Sequence, residues 1–135
     1  MILVDTSVWV DHLRKCNPIL AELLKKNRVV NYPMVLGKLA CGNLQNRQSL
    51  LQLWQSLDSL QAVSHEEALY FIEHNGLMGK GIGYVDVHLL ASVALVAGVK
   101  LWTRDKRLAR IAVEFDYAWE EPVQEQKTPL MPVAP

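Results

Sequence analysis

The chain has 135 residues, half of them hydrophobic and 21% charged, with a formal net charge of zero at pH 7. That length and balance describe one ordinary folded domain able to bury its own core. Zero net charge excludes a global field that would draw nucleic acid, so any such binding has to come from local basic clusters. Cys16 and Cys41 are the only cysteines and lie in no CxxC or zinc spacing, which points to a reducing cytoplasmic setting and away from a structural zinc. The opening apolar run is too short for a secretory signal. The most apolar later stretch, 85–99, is short for a bilayer span and carries Asp86 and His88, so no membrane role is expected.

Met1-Ile2-Leu3-Val4 is a continuous apolar run ended by Asp5-Thr6-Ser7, the pattern of a strand buried on both faces that hands over to a helix near Ser7–Arg14. Asn17-Pro18 restarts the chain as a helix, Pro18–Lys26. Arg28–Tyr32 reads as a second strand closed by Pro33, followed by a helix from Met34 to Cys41 that Gly42-Asn43 ends. Gln48–Leu57 is a helix with a broad leucine face around Trp54, and Leu60–Val63 is a short strand candidate. Ser64 and Glu67 form a capping-box pattern that opens a helix to His74.

Gly79-Lys80-Gly81-Ile82-Gly83 is a flexible connection. It has neither the spacing of a dinucleotide fingerprint nor the Ser or Thr of a phosphate loop. The stretch Val85–Ala97 is apolar all round and reads as a buried helix. Val99–Trp102 is a strand, Thr103 caps a further helix that ends near Glu114, and Phe115–Trp119 holds a last short strand. From Glu120 to Pro135 the chain is proline-rich and lacks core-forming residues, so the domain is expected over 1–119 and a tail over 120–135. Strands alternating with helices imply an α/β fold with a parallel sheet covered on both faces.

Asp5 and Asp105 occupy equivalent places, each just beyond a buried strand and at a helix start. Ligands in open parallel sheets bind outside the carboxyl ends of the strands. Asp86 lies in the first turn of an otherwise apolar helix, where a carboxylate needs a partner or a metal. Each of the three also has a plain structural use as a helix cap or as a complement to the helix dipole. Clustered carboxylates repel, and a hard cation such as Mg²⁺ relieves them. Lys100, Arg104, Lys106, Arg107 and Arg110 form a basic run beside Asp105, either a solvated face or a holder of phosphates. Asp11 and Arg14 have the spacing of a surface pair. Trp9, Trp54, Trp102 and Trp119, with the leucines around Trp54, offer more apolar surface than one small sheet needs, which favours a homodimer and a groove for an amphipathic partner helix.

Three stretches carry a family likeness: Val4-Asp5-Thr6-Ser7-Val8-Trp9, Gly83-Tyr84-Val85-Asp86-Val87-His88-Leu89-Leu90-Ala91-Ser92, and Leu101-Trp102-Thr103-Arg104-Asp105-Lys106-Arg107-Leu108. In this order they resemble PIN-domain ribonucleases, most closely VapC-type toxins of bacterial type II toxin–antitoxin pairs. The resemblance covers Met1 to about Trp119. It implies a three-layer α/β/α PIN-like fold with a short central parallel sheet. It also implies Mg²⁺- or Mn²⁺-dependent cleavage of RNA, a homodimer, and neutralisation by a VapB-type antitoxin. Carried onto this sequence, the family's metal-binding acids fall on Asp5, Asp86 and Asp105, with Thr6, Ser7 and Thr103 at supporting hydroxyl positions. Arg104, Arg107 and Lys80 are then the candidates for contacting the RNA backbone.

The remaining acid of the family is a glutamate in a segment that usually reads Leu-Gly-Glu-Leu-Ala. Here that segment reads Leu36-Gly37-Lys38-Leu39-Ala40, and Lys38 stands at the glutamate position. An ammonium among the acids replaces part of the cation's role and weakens metal binding and activity; alternatively it swings to solvent on its long stem. Two functions follow: a metal-dependent endoribonuclease toxin impaired by Lys38, or a catalytically disabled PIN-fold module that binds antitoxin or RNA. A phospho-accepting receiver domain fits poorly, because Asp5 lacks the adjacent acid.

Overall fold

The computed structural model describes residues 1–122. Its elements are β1 (Ile2–Val4), α1 (Thr6–Lys15), α2 (Pro18–Lys25), β2 (Val29–Val30), α3 (Pro33–Ala40), α4 (Arg47–Ser56), α5 (His65–Asn75), α6 (Tyr84–Ala94), β3 (Lys100–Trp102) and α7 (Lys106–Glu114). The three strands form one parallel sheet in the order β2-β1-β3. With its helices this makes the three-layer α/β/α PIN-like fold that the sequence implied. All three residues of β1 are buried, as a central strand covered on both faces demands.

The order places β1 where the chain reverses direction across the sheet, since β2 lies to one side and β3 to the other. Crevices open at such points. Register then decides what meets there. Val4 pairs with Trp102, so Asp5 and Thr103 follow side by side. The helices pack as α5 on α6, α6 on β3, and α3 on both α1 and α4.

Several boundaries differ from the sequence reading. The segment Leu60–Val63 is not a strand; a single parallel bridge joins Asn31 to Ser59, with Leu60 N–H donating to the Asn31 carbonyl at 2.8 Å. Pro33 starts α3 two residues beyond Asn31, so the edge has no room for a longer ladder. Likewise Phe115–Trp119 contributes one bridge, Leu101 to Ala118. The buried helix begins at Tyr84 and ends at Ala94, and Val87 to Val93 are buried without interruption. The capping box of α5 is present, with the Glu67 N–H donating to Ser64 Oγ at 3.0 Å and the Ser64 N–H to Glu67 at 2.8 Å.

The tryptophans do not form a spare surface. Trp9, Trp54 and Trp102 are buried in the core, and Trp119 is half-buried with its ring 4.7 Å from that of Trp102. The tryptophan argument for a second subunit therefore loses its basis. Residues 123–135, most of the expected proline-rich tail, lie outside the described residues. Among the described residues no helix is long and apolar enough to cross a membrane.

Candidate active site

Asp5 is the N-cap of α1, and its carboxylate is buried. Oδ1 accepts from the Thr6 N–H at 2.7 Å. Oδ2 accepts from the Ser7 hydroxyl at 2.8 Å and from the Thr103 hydroxyl at 2.7 Å. Ser7 in turn accepts from the Arg104 N–H at 3.0 Å, and Thr103 accepts from the Asp105 N–H at 3.1 Å. This chain of bonds ties the end of β1 to the end of β3 and fixes one carboxylate against both. Of the hydroxyls expected to support the site, Ser7 and Thr103 do so. Thr6 does not: its Oγ1 is buried without a partner among the described residues.

Asp105 itself is the N-cap of α7, accepting from the Leu108 N–H at 3.0 Å. The sequence reading gave that cap to Thr103. Register overrides it, because Thr103 faces Asp5 across the sheet and its hydroxyl is turned there. Asp86, in the first turn of α6, accepts from the Gly83 N–H at 3.2 Å. All three acids thus serve as helix-terminus acceptors, and the structural and functional uses coincide.

The acids also share one field. The Asp86 carboxyl is held above the ordinary value, first by partial burial and then by the negative charges of Asp5 and Asp105; the Gly83 N–H and the Lys38 ammonium act the other way. Lys38, on α3, is exposed and makes no ion pair within 4.0 Å among the described residues. So Asp86, in the first turn of α6, lies within electrostatic reach of Asp5 at the start of α1, Asp105 at the start of α7 and Lys38 on α3, two negative charges and one positive. They are not drawn into a closed cage: among the described residues no three His, Cys, Asp or Glu side chains stand ready as a ligand set.

The basic candidates divide. Arg104 is committed to Asp11 at 2.9 Å and to Glu121 at 3.0 Å. Asp11 therefore pairs across the sheet end rather than with Arg14, a link between residues 93 apart that no local spacing could reveal. Arg107 donates to the Gly81 carbonyl at 3.4 Å and leans on the glycine-rich loop, and Lys80 is exposed on that loop. Glu121, passed over in the sequence as part of a tail, accepts from Trp102 Nε1 at 2.9 Å as well as from Arg104.

No protein-family profile matches the chain. Ribonuclease VapC32 of Mycobacterium tuberculosis, from strains CDC 1551 / Oshkosh and ATCC 25618 / H37Rv, is 45% identical over 123 residues, which is 91% of this chain and 99% of the relative. The chain belongs to the VapC-type PIN ribonuclease toxins.

Within this VapC-type chain, register sets the end of β1, with Asp5, beside the end of β3, three residues before Asp105, and Asp86 feels the charges of Asp5, Asp105 and Lys38.

Proposed function

We propose that the chain is a metal-dependent endoribonuclease toxin that hydrolyses RNA phosphodiester bonds. It acts in the cytoplasm as a homodimer and is held in check by a VapB-type antitoxin. The observation that carries this reading is the joint field of Asp5, Asp86 and Asp105 at the carboxyl edge of the sheet. Membership of a family whose relative is called a ribonuclease gives that field a reaction.

Three carboxylates are hard oxygen donors, the chemistry that suits Mg²⁺ or Mn²⁺. Each is oriented by hydrogen bonds from hydroxyls or backbone N–H groups, the support that metal-binding carboxylates need. Mg²⁺ keeps several waters and is held by one or two carboxylates plus substrate phosphates. Asp5, Asp86 and Asp105 would hold the ion, whose chemistry there would be to activate a water and to offset charge on the phosphate. In the hydrolysis, the water oxygen bonds to phosphorus, the bond to the 3′ oxygen breaks, and a 5′-phosphate and a 3′-hydroxyl result. The chain's own part is to hold the acids, through Ser7 and Thr103 for Asp5, and to meet the RNA backbone with Lys80 and Arg107.

Lys38 favours a second reading, a disabled binding module, because its positive charge enters the acid field. Cleavage of single-stranded RNA by the purified chain with Mn²⁺, abolished by Asp5→Asn, establishes the enzyme and removes the module. RNA left intact by both proteins, with Mn²⁺ shown not to bind by calorimetry, overturns the enzymatic reading.

A further inference from the structure

We propose that Tyr84 is a base-stacking residue for the RNA, on the first turn of the helix that carries Asp86. The proposal rests on the ribonuclease reading above and adds how the strand is gripped beside the site. Tyr84 is the first residue of α6 and is 40% exposed. It is two positions before Asp86, so the two side chains leave the same turn on different sides of the helix. An α-helix with its side chains is about 10–12 Å across. A strand whose phosphate sits at the acids therefore lays a neighbouring base, not the one at the scissile bond, near the ring.

The ring is held rather than free. Its hydroxyl is hydrogen-bonded to His65 Nδ1, and the two rings lie 5.5 Å apart. On another side it meets the buried His88 edge-on at 4.6 Å and 77°. His88 is itself fixed. The Val63 N–H donates to the Tyr32 hydroxyl at 2.8 Å, and that hydroxyl is hydrogen-bonded to His88 Nδ1, also at 2.8 Å. With its hydroxyl bonded and its ring held between two histidines, Tyr84 keeps 40% of its surface open to solvent. Orderly exposed aromatic faces bind unstacked bases whatever their sequence.

The surroundings fit a nucleic acid. Gly83 precedes the ring, and the loop leading to it carries the exposed Lys80 and is buttressed by Arg107 at Gly81. Phosphates that follow this loop meet two cations while a base meets the ring. In a chain with zero net charge, local grip of this kind is what RNA binding has to rely on.

The test measures the affinity of the full chain for a fluorescein-labelled mixed-sequence single-stranded RNA, by anisotropy in EDTA so that nothing is cut. The native chain is compared with Tyr84→Phe, Tyr84→Leu and Tyr84→Trp. Stacking on one base corresponds to about 5- to 150-fold in affinity. Tyr84→Leu is expected to bind at least about five-fold more weakly, while Tyr84→Phe and Tyr84→Trp stay within about two-fold of the native chain or bind more tightly. A 2-aminopurine base in the RNA should be quenched by the native and Phe proteins more than by the Leu protein. A folded Leu variant that binds like the native chain overturns the proposal, and so does a Phe variant that loses as much as Leu. If Leu does not fold, weaker binding by Trp overturns it. If the native chain binds RNA only when Ca²⁺ replaces EDTA, the variants are compared there with the same expected ratios; a native chain that binds no RNA in either condition overturns the ribonuclease reading instead.

Discussion

The Thr103 hydroxyl donates to Asp5 Oδ2 at 2.7 Å across 98 residues of sequence. The bond follows from register, since Val4 opposite Trp102 leaves the next residue of each strand side by side. Because Asp5 is buried, the donor answers a desolvated charge.

Thr103→Val keeps the shape and removes the hydroxyl. A hydrogen bond to a charged group contributes about 1.5–3 kcal/mol, and the loss also frees the Asp105 N–H. The expected outcome is about 1–3 kcal/mol less stability in a denaturant titration, with Thr103→Ser close to the native chain. Equal midpoints for Val and Ser would show that Asp5 is satisfied by Ser7 and Thr6 alone.

Lys38→Glu changes the acid field by two charges. Unit charges about 4 Å apart at an effective dielectric near 20 interact by about 4 kcal/mol, so even a fraction of this is measurable. Two effects of opposite sign are expected. In EDTA the variant melts at a lower temperature than the native chain, because a fourth carboxylate joins three. With Mn²⁺ it binds the ion at least about ten-fold more tightly by calorimetry, a change of about 1.4 kcal/mol, and RNA cleavage rises. A variant unchanged in both respects would place Lys38 outside the site.

Asp86 gives a pH signature. Its carboxyl is held above the ordinary 3.8, chiefly by burial and then by Asp5 and Asp105. A raised carboxyl means that the unfolded state gives up its proton first. Its contribution to stability is therefore fully present below pH 3.8 and is lost as pH rises through the elevated value. Asp86→Asn still accepts from the Gly83 N–H and carries no charge. In EDTA at neutral pH it should be more stable than the native chain, and the difference should shrink toward zero as pH falls below the ordinary carboxyl range. A constant difference across pH would refute the assignment of the strain to ionisation.

How much of this could be read from residues alone follows from how far apart the causes lie. The buried run of β1, the capping box at Ser64 and Glu67 and the apolar body of α6 are local patterns, and each appears where periodicity and capping chemistry put it. The single bridges at Ser59 and Ala118 depend on which edge a passing segment lies beside, which no propensity encodes. Thr before a helix is a common cap, which is all that local sequence shows at Thr103; only the pairing of β1 with β3 turns its hydroxyl to Asp5. Arg104 looked free for phosphate because Asp11 and Glu121 are distant in sequence. The meaning of Lys38 came from family pattern, and its place in the field from the fold.

The buried polar network behind Tyr84 makes a stability prediction. Tyr32→Phe leaves the Val63 N–H and His88 Nδ1 without their partner in a buried place. Each orphaned group costs about 1–3 kcal/mol, so a loss of about 2–6 kcal/mol is expected by thermal or denaturant unfolding. His88→Leu in the same background removes one of the two orphans and should recover part of it. Full additivity of the two substitutions would show that the hydroxyl and the imidazole do not act together.

Gly81 and Gly79 separate strain from contact in the loop that leads to Asp86. Both have positive φ, +82° and +72°, so alanine is strained at either. They differ in surroundings. A Cβ at Gly79 meets nothing within 4 Å, whereas at Gly81 it would lie 2.9 Å from Arg107 Cδ and 3.1 Å from its guanidinium. Arg107 has to move, and with it goes the bond to the Gly81 carbonyl. Gly79→Ala should cost about 1 kcal/mol, the strain alone, and leave RNA affinity unchanged. Gly81→Ala should cost more and weaken RNA binding, because the cation beside Asp105 is displaced. Removing the obstacle tests the cause: in an Arg107→Ala background, Gly81→Ala should have no more effect on stability than Gly79→Ala does. If the Gly81 penalty persists undiminished there, the loop is shaped by its own backbone, and Arg107 does not hold it.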